Sequence, residues 1–296
     1  MLKTPKNISY DFKALKRQGM RIWSKKKLSN FVFQYGQTRV LRGYASCLID
    51  NSDGKFISKT TSRQLMKLVN FDGALGVTLL KYLFDFEQRL NSVMITTILA
   101  NYKLSPKYVL DIDHCDWLEF RSHEDKENFR RNMYQNADSC NFLSSYPDKD
   151  NIPLMSLALS WTFFNTLAFF EATADDIKRE VIDSLGLTGW DVNSFRSLGH
   201  IIRKLRNTIS HNDCLLLSKY DASETLINAL SLNPKRKYVY VYDVCTLLDE
   251  ISSSKKSLVK EISKLIKKSG FRKPIRSRVG KLLGWNPKDI RATFSE

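Results

Sequence analysis

Near residue 205 the chain reads Leu205-Arg206-Asn207-Thr208-Ile209-Ser210-His211-Asn212-Asp213, and these residue types could move protons at a phosphate ester. His211 can take or give a proton at neutral pH, while Arg206 offers a planar fork to a phosphate. Asn207, uncharged but both donor and acceptor, could orient the imidazole or bond the phosphate. The ribose 2′-hydroxyl would be the nucleophile, so the reaction needs neither metal nor cofactor. On a helix Asn207 and His211 are four apart, as are Arg206 and Ser210, and all four line a polar surface beside the Leu205–Ile209 seam. Arg206 and His211, five apart, diverge by about 140° on an ideal helix. Their convergence requires arginine's reach or a helix end near Ser210. Taken bare, the same residues also read as a helix C-terminus with a dipole-favoured histidine and a surface arginine.

Other groupings carry less chemistry. Asp111, Asp113, His114, Cys115 and Asp116, with His123 and Glu124 nearby, offer metal donors, but their spacing fits no zinc template and reads as a solvated loop. No metal site is expected. The chain has no P-loop, no GxGxxG and no serine elbow, so nucleotide hydrolysis and acyl transfer have no candidates. The five cysteines form no CxxC and cannot all pair. That pattern, and the lack of an apolar run after Lys3 and Lys6, favour a reduced, cytoplasmic protein.

The elements that must position these residues read as helices. Apolar residues recur at three and four from Leu65 to Leu99, giving one long helix or two joined near Gly73 and Gly76. Phe195, Leu198, Ile202, Leu205 and Ile209 mark the helix that carries the motif. Ala174 to Leu185 is amphipathic and stops at Gly186, and Leu258 to Ile266 forms a basic amphipathic helix before Gly270. Pro106, the polar run Asp111 to Asp125, and the break at Ser145 to Asp150 bound an insert. Tyr238 to Asp243 is rich in β-formers yet runs into an apolar helical stretch, so it reads as a helix start. Ile152 to Phe170 is nineteen residues without a charge, the length of a membrane span. Its Pro153, Ser156, Ser160, Thr162, Asn165 and Thr166 instead favour a buried core helix, expected from Leu154 to Phe170. Only 12 Gly and 7 Pro in 296 residues fit an all-α chain.

The net charge of +16 sits at the ends. Residues 1–42 hold eleven Lys and Arg against one Asp, residues 235–296 hold sixteen against six acids, and the middle is slightly acidic. Basic flanks around a near-neutral body suit a polyanion. The candidates are Lys25, Lys26, Lys27, Arg39 and Arg42 at one end and Lys267, Lys268, Arg272 and Lys273 at the other. Tyr35, Tyr44 and Trp285 lie among them and could stack on bases, although most such rings belong to cores.

Several of these stretches together resemble the Abi-like family of bacterial abortive-infection proteins, the AbiD/AbiF group, whose fold and motif belong to the HEPN superfamily. The likeness runs through Leu15-Lys16-Arg17-Gln18-Gly19, Arg39-Val40-Leu41-Arg42-Gly43-Tyr44, Phe71-Asp72, and Asp85-Phe86-Glu87-Gln88-Arg89-Leu90. It continues in the apolar Pro153 to Phe170 stretch, in Arg206-Asn207-Thr208-Ile209-Ser210-His211 against R-N-x-x-[AS]-H, and in Leu283-Gly284-Trp285. Two positions depart from the pattern. Gly73-Ala74 replace a common Arg-Glu, suggesting a lost ion pair, and Asn212 replaces a frequent second histidine.

The resemblance implies a metal-independent ribonuclease site at Arg206, Asn207 and His211, with Glu87 as acidic partner. It also implies a HEPN-like helical bundle and a homodimer in which two motif helices face each other. Some family members lie beside a structured noncoding RNA, so the flanks could hold such an RNA above a silent site. A DNA-binding or structural protein is a further reading. The expected organisation is a basic region at 1–61, a helical core at 62–232 with an insert at about 103–152, and a basic helical region at 233–296. No membrane partner is expected.

Overall fold

Apolar residues spaced at three and four dominate the chain, and the computed structural model answers with twelve α-helices among its described residues. These are residues 6–50, 53–137, 139–146, 148, 151–252 and 256–285, with side chains from residue 11. The proposed break at Pro147, Lys149 and Asp150 lies outside them. In order the helices are α1 (Lys6–Arg17), α2 (Lys25–Tyr35), α3 (Ser62–Asn101), α4 (His123–Tyr134), α5 (Leu154–Leu157), α6 (Phe163–Ala172), α7 (Asp175–Ser184), α8 (Val192–Ser210), α9 (Glu224–Ala229), α10 (Val241–Ile251), α11 (Leu258–Lys268) and α12 (Lys273–Leu283). A π-helical turn spans Arg39–Tyr44. The fold class is all-α.

The chain divides into two compact units, each drawn from separate stretches of sequence. The first takes Met1–Tyr82, Lys204–Asp221 and Lys237–Glu296; the second takes Leu83–Arg203 and Ala222–Arg236. Helices α3 and α8 therefore each contribute to both units.

In the first unit the seam of α3 buries Leu65, Leu68, Phe71, Leu75 and Leu79, and α8 adds Leu205. Helix α3 is one continuous helix of 40 residues, with no break at Gly73 or Gly76. A side chain at Gly76 would lie 3.2 Å from the Ile209 methyl and 3.5 Å from Leu215, so the glycine marks where α3 runs close beneath the end of α8. In the second unit α3 buries Leu83, Phe86, Leu90 and Met94, and α8 buries Phe195, Leu198, Ile201 and Ile202. Phe170 meets Phe195 there with ring centroids 4.8 Å apart.

Two sequence expectations require correction. Tyr238–Tyr240 is not a helix start but a strand, β2, paired antiparallel with β1 (Lys219–Asp221). Val239 is buried between half-exposed tyrosines, a two-residue alternation that suits a pleated ribbon, and helix begins only at Val241. The uncharged stretch after Ile152 is likewise not one helix. It runs through α5 and a 3-10 turn at Ala158–Ser160 before α6 restarts. Thr162 and Asn165 form a capping box there, and buried Asn165 also donates to the Asn132 carbonyl at 2.6 Å. Among the described residues no helix is long and apolar enough to cross a membrane.

Candidate active site

Helix α8 ends at Ser210 because the next residues turn its carbonyls back on themselves. The Asp213 amide donates to the Thr208 carbonyl at 2.9 Å and the Asn212 amide to the Ile209 carbonyl at 2.9 Å. Asn212 has φ +58°. This is a Schellman closure with asparagine, a residue that tolerates the left-handed region, in the place of the usual glycine. His211 sits at the cap position, exposed, just as the helix stops. Asn212, read in the sequence as a departure from the resembled pattern, is thus the residue that ends the helix.

His211 and Asn207 open on a groove of about 420 Å³, with Lys204, Thr208, Lys219 and Asp221 also on its walls. Strand β1 forms one side, and its Lys219 ammonium lies 4.3 Å from the centre of the Tyr238 ring on β2. Arg206 does not line this groove. It is half-buried, whereas Asn207, Ser210 and His211 are exposed. The reason is angular: an arginine one residue before Asn207 points about 100° away around the helix. Glu87, half-buried on α3 within the second unit, is also absent from the groove lining.

Behind the groove, a buried carboxylate holds the loop that follows His211. Asp72, 2 % exposed, accepts from the Leu215 and Leu216 amides at 3.2 and 3.1 Å and from the Tyr44 hydroxyl at 2.7 Å. Burial pushes its carboxyl up to about 6, although the hydroxyl, the two amides and nearby Arg39 all favour the charged form. Burial and the Asp72 charge push the Tyr44 phenol up as well, so it remains a donor. The π-helical turn brings Arg39 back beside Tyr44, five residues on, with Nη2 3.2 Å from the hydroxyl. The same Nη2 donates to Asn212 Oδ1 at 2.5 Å. A continuous chain of polar contacts therefore runs from the π-turn to α3 and to both sides of the His211 turn. Cys47 and Cys214 meet beside it with sulfurs 3.8 Å apart, both free, and their contact pushes the Cys214 thiol up.

The basic candidates fall in several places. Lys25, Lys26 and Lys27 form the exposed first turn of α2, Lys267 and Lys268 end α11, and Arg272 and Lys273 begin α12. Arg42 is exposed on the π-turn, whereas Arg39 is engaged with Tyr44 and Asn212. Of the aromatic candidates, Tyr44 and Trp285 are core residues, and Tyr35 stacks on Phe31 at 4.4 Å. Trp23, by contrast, is exposed, at 62 %. Sequence reasoning passed over Trp23 and met Asp72 only within the family likeness, with no role assigned to it. Trp23 could have been found from Arg21 and Lys25–Lys27 around it, and Asp72 as a charge interrupting the apolar seam of α3.

Elsewhere, the acidic turn is occupied by pairs of its own. His114 bonds Asp111 at 2.8 Å, and Asp113 meets Lys126 at 2.8 Å and Arg130 at 3.0 Å, which hold its carboxyl down at about 2. Cys115 contacts the Tyr108 hydroxyl at 3.1 Å. No cluster of three or more His, Cys, Asp or Glu able to hold a metal occurs among the described residues.

A family model described as Abi-like protein matches residues 30–216, a span that takes in the π-turn, Asp72 and the whole Arg206–His211 motif. No curated protein and no solved structure matches the chain.

Proposed function

Because the chain belongs to the Abi-like family, we propose that it is an abortive-infection toxin that cleaves RNA without metal at Arg206, Asn207 and His211. The observation that carries this reading is the exposure of His211 and Asn207 on one groove at a helix end braced from behind by Asp72 and Arg39. In the reaction, His211 removes the proton of a ribose 2′-hydroxyl, whose oxygen attacks the adjacent phosphorus. The bond from phosphorus to the 5′-oxygen breaks, and the departing oxygen takes a proton from a protonated imidazole. Products end in a 2′,3′-cyclic phosphate and a 5′-hydroxyl. Asn207 hydrogen-bonds the phosphate, and Arg206 neutralises it.

Arg206 lies off the groove of its own chain, which supports a homodimeric site where the partner subunit supplies the missing cation and the second imidazole. His211→Ala and Arg206→Ala are each expected to abolish cleavage and toxicity in cells, with an unchanged circular dichroism spectrum and no response to EDTA. Metal-dependent cleavage, or full activity in either variant, would remove this site. The same placement of Arg206 favours one second reading, in which the chain holds a structured noncoding RNA and the nuclease site is silent. Tight RNA binding with no cleavage by wild-type chain would select it.

A further inference from the structure

In the first unit a second cavity, of about 760 Å³, is lined by Trp23, Lys27, Arg63, Gln64, Lys67 and Arg272 among others. Its size falls within the ~300–1,000 Å³ of small-molecule pockets. Its lining contains four cations and no carboxylate. None of the four has an acidic partner among the described residues; Lys67 donates to the Gly270 carbonyl at 2.8 Å and Arg272 to the Lys59 carbonyl at 3.4 Å. Four like charges in one concavity repel one another, and the arrangement is stable in proportion to the anion that joins them.

Local helix chemistry agrees. Lysines and arginines occupy the first turns of α2, α3 and α12 with no acid among them, and the starts of all three border the cavity. Cations at a helix N-terminus oppose the macrodipole, so these three turns are each locally unfavourable until a negative group neutralises them. At the rim stands Trp23, 62 % exposed, with the Arg21 guanidinium 4.7 Å from its centroid. A large exposed indole beside a cationic cavity is a stacking surface next to a phosphate site.

We propose that this cavity takes one nucleotide, its base on Trp23 and its phosphate among Lys27, Arg63, Lys67 and Arg272, and that the nucleotide belongs to a single-stranded RNA. The last clause rests on the reading of the chain as an RNA-binding protein; the pocket itself does not depend on cleavage at His211. It deepens that reading by assigning the basic ends a defined seat in addition to a diffuse field.

The test uses the full chain carrying His211→Ala, a labelled ten-nucleotide uridine RNA and, separately, AMP. Trp23→Ala is expected to weaken RNA binding about tenfold, the effect of one lost stacked base, and Trp23→Phe to restore it. Arg63→Gln with Arg272→Gln should lower the slope of log affinity against log salt by about 0.7 for each phosphate contact removed. AMP binding that disappears in Trp23→Ala, without RNA binding, would keep the pocket, make a free nucleotide its ligand, and set aside the RNA reading. Wild-type affinity for both probes in all these variants would overturn the pocket. If Lys25→Gln with Lys26→Gln still weakened RNA binding in that case, the RNA reading would survive the loss. No binding of either probe by the starting chain would overturn both.

Discussion

Asp72 shows how one buried charge can hold the loop that follows His211. Its two oxygens bond the amides of Leu215 and Leu216, and its third partner, Tyr44, passes the restraint through Arg39 to Asn212. Replacing it with alanine strands a buried hydroxyl and two buried amides, at a cost of about 3 kcal/mol. The raised carboxyl pKa sets a pH dependence. An acid that holds its proton more tightly when folded stabilises the fold below its unfolded value of 3.8, and this contribution is lost as pH rises through about 6. Urea unfolding between pH 4 and 7 should therefore show wild type losing roughly 3 kcal/mol relative to Asp72→Asn. A flat difference curve would mean that Asp72 is not held in this way. The placement of Asn207 and His211 at the end of a helix was legible in the sequence because the apolar spacing carries that helix to Ile209. Asp72 was not, since a charge within an apolar seam looks like an interruption until its amide donors, 143 and 144 residues away, come into view.

Among the elements, the helices could be read directly from three- and four-residue spacing, and α8 ends at Ser210. The failures share a cause. Tyr238–Tyr240 is three residues long and adjoins a helical run, and the break before α6 rests on Thr162 and Asn165 bonding their own backbone. Both depend on hydrogen bonds that hydrophobic periodicity does not record. The Gly-Trp pair at the end of α12 now has a physical reason. Gly284 adopts φ +92°, and a side chain there would run into Tyr240, while Trp285 is buried with its ring 4.8 Å from that of Tyr242. Gly284→Ala should destabilise the protein by about 3 kcal/mol, combining left-handed strain with overpacking. Gly189→Ala, at φ +85° in open space, should cost only the strain, about 1 kcal/mol. Thermal and urea unfolding of the pair checks the difference, and equal losses would remove the packing contribution of Tyr240.

Taken over the whole chain, the charge distribution was visible from the start, because counting Lys and Arg needs no structure. What the count could not reveal is that Arg39 is engaged internally and that Trp23 stands exposed beside a cationic cavity. Neutralising Lys25–Lys27, or Lys267 and Lys268 with Arg272 and Lys273, by Gln should weaken RNA binding and reduce the salt slope by about 0.7 for each phosphate released. Cleavage by saturated chain should persist, and an unchanged slope would reduce the +16 to a solubility charge. The stitched construction of the first unit also has a consequence for synthesis. The second unit lies almost wholly in Leu83–Arg203, a single run that can fold as it emerges, but the first must wait for Lys237 onward. At ~5–20 residues per second, Met1–Tyr82 waits on the order of ten seconds for its last partners. A nascent or prematurely terminated chain can thus contain Arg206, Asn207 and His211 and still lack β2 and the Gly270–Arg272 wall. The second cavity is therefore finished only once its Gly270–Arg272 wall has been made, whereas the residues of the His211 groove all precede Ala222.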